Sequence, residues 1–320
     1  KGYSVGDLLQ EVMKFAKERQ LDEAHGAHLG LWEGFAKNSC QLGADLVIHS
    51  VHKTLPALTQ SALLHVNGEL IHRKLVQRFL RIYQSSSPSY LLMAGIDNAL
   101  QHAKQAQGIR FRERYGEMLG ELAACRHFRF LSDIEGRQDI GKLLISVKQT
   151  GLTGKELYDI LLGEFHLQME MASTSFVLAM YTVNDHEEAY RRMTDALLTI
   201  DGRLEESAAG AGMDRRKGMR PEAAGGGACM PADAIPLALA WDMHTGHTDI
   251  AESIGRHIGE FINLYPPGVP LLVPGERMTS RLCREITEAV DQGLEVQGVQ
   301  MGVSGGGRQR ILSVPVIMER

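Results

Sequence analysis

Ten consecutive residues set the expected architecture of this chain: ADLVIHSVHK, residues 44–53. Their centre, residues 46–48, is a short apolar run rich in β-branched side chains, which predicts a parallel strand covered on both faces. Lys53 then follows in a loop just past the carboxyl end of the strand, where ligands bind in open α/β sheets. The segment therefore predicts an α/β fold that presents a lysine at a binding site.

An acidic segment, DEAHGAH at residues 22–28, lies about thirty residues before this lysine. Its carboxylate Asp22 can hold a cationic ring nitrogen through a charge-assisted hydrogen bond. The amine of Lys53 can form a Schiff base with a carbonyl group. Taken separately, a lysine after a strand is usually a solvated loop residue, and an aspartate often caps a helix or lies on the surface. It is the pair of residues that indicates a functional site.

Six motifs follow one another over nearly the whole chain: DEAHGAH (22–28), SVHK (50–53), LTQ (58–60), SSSPSY (85–90), GLTG (151–154) and YPPGVPLLVPGE (265–276). This ordered series resembles the ornithine/lysine/arginine (Orn/Lys/Arg) decarboxylases, which are fold type I enzymes that use pyridoxal 5'-phosphate. The order is far more specific than any single motif. The resemblance implies an aspartate aminotransferase-like α/β fold.

The resemblance also implies roles for the residues around the lysine. Lys53 would bind the cofactor aldehyde as a Schiff base, and Asp22 would keep the pyridine nitrogen protonated. Ala24 would pack on the face of the cofactor ring, and His25 would line the catalytic site. No metal is expected in this mechanism.

Four further residues are implied to bind the cofactor phosphate. Ser50 and His52 would hold it within the subunit. A hydroxyl of Ser85 or Ser86 would reach the phosphate of the neighbouring subunit, which implies a homodimer or a larger homo-oligomer. The local alternative for this serine-rich loop is an N-cap, since Pro88 suits the first turn of a following helix.

The implied function is the pyridoxal phosphate-dependent decarboxylation of arginine, lysine or ornithine to a polyamine or its precursor. Two alternatives stay open. In the first alternative, the chain is a non-catalytic or truncated remnant of such an enzyme, which only packs or oligomerises. In the second, it is a pyridoxal phosphate-dependent aminotransferase, which uses the same lysine chemistry but is less compatible with the Pro-Pro-Gly motif at residues 266–268.

The resemblance divides the chain into parts with expected limits. These are the C-terminal part of the cofactor-binding large domain (1–107), a small α/β domain (108–206), a Gly/Ala-rich linker (207–232), a C-terminal decarboxylase domain (233–302) and a poorly ordered tail (303–320). The family's large domain begins well before Lys1 with a Gly/Ser/Thr phosphate loop, so we expect its N-terminal part to be lacking. Because only Leu21 separates Asp22 from a helix predicted at residues 7–20, a strand before Asp22 is expected to be deleted or severely shortened.

Hydrophobic periodicity and turn residues predict the remaining elements. Helices are expected at residues 69–83, 111–125, 154–163, 187–198 and 250–262. Strands are expected at residues 61–66, 128–131, 142–147 and 176–181, with a Pro-rich strand-like run at residues 268–275.

Composition limits the classes of function. A net charge of −5 provides no basic surface for nucleic acid. Four cysteines without CxxC spacing are typical of reduced intracellular thiols. No apolar run approaches the roughly 18 residues that a membrane span needs. These features predict a soluble cytoplasmic protein.

Two competing motif interpretations are weaker. Residues 22–25 spell the DEAH box of certain helicases, but the near match to a phosphate loop, residues 136–142, lies downstream and is followed by Leu143. Three histidine pairs have the i, i+3 spacing of some zinc ligands: His25/His28, His49/His52 and His244/His247. The pairs share no flanking pattern, and a chain with thirteen histidines will contain such close pairs by chance.

Overall fold

The computed structural model describes residues 20–105, 108–131, 139–210, 234–265, 269–303 and 310–318, which form a mixed α/β fold. The strands are β1 (Gln20–Asp22), β2 (Leu46–Ser50), β3 (Ala62–Val66), β4 (Arg129–Phe130), β5 (Lys142–Ser146), β6 (Met171–Ala172), β7 (Phe176–Met180), β8 (Thr245–Asp249), β9 (Ile262–Tyr265), β10 (Val269–Leu272), β11 (Glu295–Gln297), β12 (Gln300–Val303) and β13 (Arg310–Ile317). The helices are α1 (Val51–Thr54), α2 (Arg73–Tyr83), α3 (Tyr90–Gln105), α4 (Gly108–Leu122), α5 (Gly154–Phe165), α6 (Glu187–Gly210), α7 (Leu237–Ala240) and α8 (Ser280–Asp291). The predicted α/β class is confirmed.

The first sheet has the order β1-β2-β3, with β1 parallel and β3 antiparallel to the central strand β2. The strand expected to be deleted or severely shortened is present over the three residues of β1. The prediction that β2 is covered on both faces is wrong. Val47 and His49 are buried on one face, but Ile48 on the other face is 43% exposed.

Lys53 lies on a helical turn and not in the loop that the sequence predicted. This turn, α1, begins directly after β2. Its inner side buries Val51, Thr54 and Leu55, whereas the Lys53 side chain is exposed. Residues three and four apart share one side of a helix, so burial of Val51, Thr54 and Leu55 turns Lys53 outward.

A four-stranded antiparallel sheet with the order β4-β5-β7-β6 follows in the chain. On β5 and β7 buried and half-buried residues alternate, as expected when one face of a sheet packs on a core. Helix α5 begins with a capping box in which Thr153 and Glu156 bind each other's backbone N–H groups. The strands and helices predicted for this part are confirmed, although α6 continues to Gly210 instead of ending at residue 198.

The C-terminal part contains two three-stranded sheets, β10-β9-β11 and β12-β13-β8. Here the predicted helix at residues 250–262 is wrong. Gly255 has a positive φ of 83°, and the N–H group of Ile258 donates to the carbonyl of Glu276. These residues therefore form turns and bridges, in which Ile250, Ile258 and Ile262 are buried without a helix, whereas Ile254 is exposed.

The prediction of a poorly ordered tail after residue 302 is wrong for Arg310–Ile317. These residues form β13, which is the central strand of its sheet and pairs with both β12 and β8. Leu312, Val314 and Val316 are buried. The Gly- and Arg-rich composition of residues 302–310 concealed an apolar strand directly behind it.

One continuous hydrophobic cluster runs from α4 through the four-stranded sheet and α6 to β13. A second, small cluster lies under the lysine and consists of Val51 and Leu55 packed on Ala99 and Ala103 of α3. Helix α3 thus supports the turn that carries Lys53. The helix predicted at residues 7–20 lies outside the described residues except for Gln20, and the predicted linker lies outside them except for residues 207–210, which belong to α6.

A substitution in β13 tests whether the C-terminal strand is part of the core. Leu312 is 7% exposed, so Leu312→Ala should lower the free energy of unfolding by about 2–5 kcal/mol, the usual effect of truncating a buried leucine. The control Leu42→Ala, at a residue 71% exposed, should change it by no more than about 0.5 kcal/mol. Denaturant titration measures both; equal small effects would show that β13 is not packed.

Candidate active site

An open cleft with a volume of about 370 Å³ lies where β1 ends, next to α1. Its lining residues are Asp22, Glu23, Ala24, His25, Gly26, Leu29, Lys53 and Asp139. This volume falls in the range of roughly 300–1,000 Å³ that is usual for small-molecule sites. The three predicted catalytic residues, Asp22, His25 and Lys53, are therefore brought together, and Ala24 lies with them.

Backbone pairing between the two motif segments produces this arrangement. Asp22 is opposite Ile48 in the parallel pair β1–β2. Beyond β1 the N–H group of Glu23 donates to the carbonyl of Ile48 (3.0 Å), and the N–H group of Ser50 donates to the carbonyl of Ala24 (3.2 Å). The acidic segment is thereby bonded to the strand that ends three residues before Lys53.

Glu23 anchors the acidic segment from the side. Its carboxylate accepts hydrogen bonds from the hydroxyl and N–H group of Ser39 and lies 2.6 Å from Nε2 of His49. Burial favours the neutral carboxyl, but these hydrogen bonds outweigh it, and the pKa of Glu23 lies below its ordinary value. Gly26 makes room for this side chain, because a Cβ there would lie 2.3 Å from Cγ of Glu23.

The amine of Lys53 faces the cleft without a hydrogen-bond partner among the described residues. Nε2 of His25 lies 3.5 Å from Oε1 of Glu170, which precedes β6. Burial and the positive charge of Lys53 lower the pKa of His25, although Glu170 acts in the opposite direction. The lowered pKa of His25 favours the neutral ring, and the Lys53 side chain is exposed to solvent.

Asp139 is a cleft residue that sequence reasoning missed. It lies just before β5, and its Oδ1 atom is 2.8 Å from Nε2 of His28. In the sequence it appeared only within the near match to a phosphate loop. Its separation from the acidic segment by more than a hundred residues gave no signal that the two would meet.

The remaining predicted residues lie outside the cleft. Nδ1 of His52 is 2.9 Å from the carbonyl of Ser61, and the Ser50 hydroxyl makes no cap hydrogen bond at α1. The Ser85 hydroxyl donates to the carbonyl of Ser87 (3.1 Å), and both Ser85 and Ser86 are exposed.

The groups in the cleft fit the reactive part of pyridoxal phosphate. The cofactor aldehyde requires an amine, which Lys53 would supply, and its ring nitrogen requires an acid, which Asp22 would supply. Ala24 adds a small side chain beside them. None of the four residues predicted to bind the phosphate belongs to the described lining of this cleft: Ser50, His52, Ser85 and Ser86.

The helicase interpretation loses support. Lys142, the last residue of the near match to a phosphate loop, begins a strand and not the helix that such a loop requires. Within the described ranges, no three His, Cys, Asp or Glu side chains gather in a way that would hold a metal ion. None of the helices in the described part of the chain has both the length and the apolarity of a membrane span.

Comparison with known proteins identifies relatives. The sequence profile described as Orn/Lys/Arg decarboxylase, major domain, matches residues 2–181. Arginine decarboxylase of Bacillus subtilis is 31% identical over 293 residues, which is 87% of this chain and 57% of that protein. The chain thus spans about three fifths of the length of the curated relatives it matches.

The fold resembles that of a solved decarboxylase. Lysine decarboxylase A from Pseudomonas aeruginosa superimposes with a TM-score of 0.63 at 19% identity, over 93% of this chain and 53% of that one.

In addition, 26 residues, 8% of the chain, are 96% identical to A-kinase anchor protein 4 of Rattus norvegicus, covering 3% of that protein. So short a match carries no argument about the cleft.

The Glu23 anchor makes a pH-dependent prediction. Glu23→Gln should lower the free energy of unfolding at pH 7 by about 1.5–3 kcal/mol, the usual contribution of a hydrogen bond to a charged group. Because the pKa of Glu23 is lowered by folding, this stabilisation is present above its unfolded value of about 4.5 and disappears as the pH falls through the folded value.

Denaturant titrations from pH 3 to 8 measure the difference between variant and parent. The matched control is Glu33→Gln at an exposed residue, which should leave stability unchanged. A loss of stability in Glu23→Gln that is the same at every pH would contradict the role of the charge.

Proposed function

Because this chain belongs to the Orn/Lys/Arg decarboxylase family, we propose that its cleft binds pyridoxal 5'-phosphate and takes part in the decarboxylation of a basic amino acid, arginine, lysine or ornithine, to a polyamine or its precursor. The observation that carries the proposal is the meeting of Asp22 and Lys53 in one cleft. The relatives' own names include arginine and lysine decarboxylases.

Two residues would hold the reactive part of the cofactor. Lys53 would bind its aldehyde through the side-chain amine, and Asp22 would hold a proton on its ring nitrogen. When bound, the cofactor supplies an electron sink for the electron pair left on the substrate's α-carbon as CO₂ departs. The chain's task is to keep Asp22 charged, to keep the Lys53 amine accessible and to orient the substrate's carboxylate.

The charges of the cleft support a basic substrate. Asp22, Glu23 and Asp139 supply three carboxylates to the described lining, against the single lysine Lys53. A cleft lined mainly by one sign of charge attracts ligands of the opposite sign. Because Glu23 and Asp139 are bonded to other residues of the chain and Asp22 is assigned to the cofactor, this balance would act on a cationic side chain only as a general attraction.

Ser50 and His52 lie outside the described lining of the cleft, but Ser50 directly precedes the helical turn that carries Lys53 and His52 belongs to it. They are proposed to hold the cofactor phosphate within the subunit, and Ser85 or Ser86 to reach the phosphate of a second subunit. The large apolar side chains on either side of these two serines are exposed: Ile82, Tyr83, Tyr90 and Leu91. Several large apolar side chains exposed near these serines support contact with another protein chain, which favours a homodimer or larger homo-oligomer. A cytoplasmic location is proposed with this assembly.

Product analysis tests the proposal against its alternatives. The chain is incubated with pyridoxal phosphate and with carboxyl-labelled arginine, lysine and ornithine, and labelled CO₂ is collected. Release of CO₂ from at least one of them is the result that supports the decarboxylase proposal. Formation of a keto acid without CO₂ would indicate an aminotransferase, and neither product would indicate a non-catalytic remnant.

The first prediction concerns the attachment residue. After incubation with pyridoxal phosphate and borohydride reduction, peptide mapping should find the stable adduct on Lys53. Lys53→Ala should abolish it, because no other amine lies in the described lining of the cleft. The control Lys37→Ala, at an exposed residue, should retain the adduct. An adduct on a different lysine would remove Lys53 from this role.

The second prediction concerns the acid. Asp22→Asn should reduce turnover at least ~100-fold, or ~2.7 kcal/mol of barrier, because a neutral amide does not keep the ring nitrogen protonated. Cofactor retention should fall much less than turnover. The comparison Asp97→Asn, on the exposed side of α3, should leave both quantities unchanged. Steady-state kinetics with equilibrium dialysis measures them, and full activity of Asp22→Asn would exclude Asp22 from the site.

A further inference from the structure

A buried polar contact joins the end of the acidic segment to the four-stranded sheet. His28, which ends the DEAHGAH motif, lies with Nε2 2.8 Å from Oδ1 of Asp139. The two residues are 111 positions apart in the sequence. Both side chains are largely buried, with 7% and 19% of their surfaces exposed, so water does not compete freely for this contact.

The Asp139 carboxylate also accepts hydrogen bonds from residues at the start of β5. Its Oδ1 atom accepts the N–H group of Gly141 (2.8 Å), and its Oδ2 atom accepts Nζ of Lys142 (3.0 Å). Burial favours the neutral carboxyl, but the hydrogen bond with His28 and the charges of His28 and Lys142 outweigh it, so the pKa of Asp139 falls to about 2. Asp139 is therefore a fixed negative charge at all ordinary pH values.

Packing leaves little freedom to the hydrogen-bonded group of His28, Asp139 and Lys142. A Cβ at position 141 would lie 2.9 Å from the carbonyl of Tyr181 and 3.3 Å from Nε2 of His28, so only glycine fits there. Phe35 meets the His28 ring edge-on at 6.1 Å and stacks on Phe111 of α4 at 5.6 Å. The His28 ring is thus held by the main hydrophobic cluster as well as by Asp139.

This hydrogen-bonded group also contributes to the lining of the cleft. Asp139 lines it together with Lys53, and His25 lies three residues before His28 on the same segment. Four charged side chains act on the His25 ring: Lys53 on α1, Glu170 before β6, Lys142 on β5 and Asp139. The two carboxylates oppose the two amines, so removal of Asp139 shifts this balance toward positive charge.

We propose that Asp139 is a positioning residue of the cofactor site, which fixes the turn from Asp22 to His28 against β5 and supplies negative charge opposite His25 and Lys53. The inference rests on the proposed function only in calling this cleft a cofactor site. Asp139 acts by fixing His28 and through the electrostatic effect of its negative charge on the cleft, and not by contact with the reacting atoms.

The test compares Asp139→Asn with Asp159→Asn, an exposed aspartate on α5 that pairs with Lys155. The first readout needs no cofactor: the His25 ring is followed by NMR titration, with its resonance assigned from His25→Gln. Since Asp139 raises the pKa of His25, Asp139→Asn should move the titration to lower pH. The second readout is the rate at which pyridoxal phosphate forms a borohydride-reducible adduct on Lys53, which should fall about tenfold or more. Asp159→Asn should change neither.

A second pair of variants applies if Asp139→Asn does not fold. His28→Gln keeps an N–H donor for Asp139 and should retain most of the adduct rate, whereas His28→Leu removes the donor and should lose about tenfold. An unchanged His25 titration and adduct rate in folded Asp139→Asn, or equal adduct rates in both His28 variants, would overturn the inference. If the parent chain forms no adduct on Lys53, the proposed function fails, and the His25 titration alone decides the role of Asp139.

Discussion

The parallel pairing of β1 with β2 is the constraint on which the cleft depends. Three residue pairs, from Gln20 with Leu46 to Asp22 with Ile48, fix the register. A shift of this register by one residue would turn the Asp22 side chain to the opposite face of the sheet. Asp22 would then point away from the side on which α1 presents Lys53. A few backbone hydrogen bonds thus determine whether an acid and an amine from distant motifs share a site.

Different forces hold the two sides of the cleft. Lys53 depends on apolar packing, since α1 is a single turn whose inner residues rest on α3. The acidic segment depends on polar anchors: Glu23 binds Ser39 and His49, and His28 binds Asp139. Such buried polar contacts specify one geometry, because a partner left unpaired is costly. The segment is consequently fixed in orientation, while the amine it faces stays free to react.

The sequence predicted the parts of the site that are local in the chain. A β-branched run followed by Lys53 is a pattern that a strand and its carboxyl end impose directly, whereas the roles of Asp22, Ala24 and His25 were implied by the family resemblance. Asp139 was not predictable in the same way, since its role depends on a tertiary contact between distant segments. The exposure of Ile48 was missed for a related reason, because the apolar run alone does not say whether another layer covers the strand.

The C-terminal errors arose where composition and backbone demands conflicted. Isoleucines at positions 250, 254, 258 and 262 match helical spacing, yet the positive φ of Gly255 ends any helix there. The Gly- and Arg-rich residues before β13 suggested disorder, but the following eight residues supply the central strand of a sheet. Local composition did not reveal that β8 and β12 would pair with it.

The central claim is that the cleft beside β1 and α1 is the cofactor site. The most direct measurement is a crystal structure of the chain grown with pyridoxal phosphate. We predict electron density continuous with the Lys53 side chain, and a ring nitrogen at a hydrogen-bonding distance, roughly 2.7–3.2 Å, from the Asp22 carboxylate. A ring bound elsewhere on the chain, or one in the cleft whose nitrogen faces away from Asp22, would contradict the account.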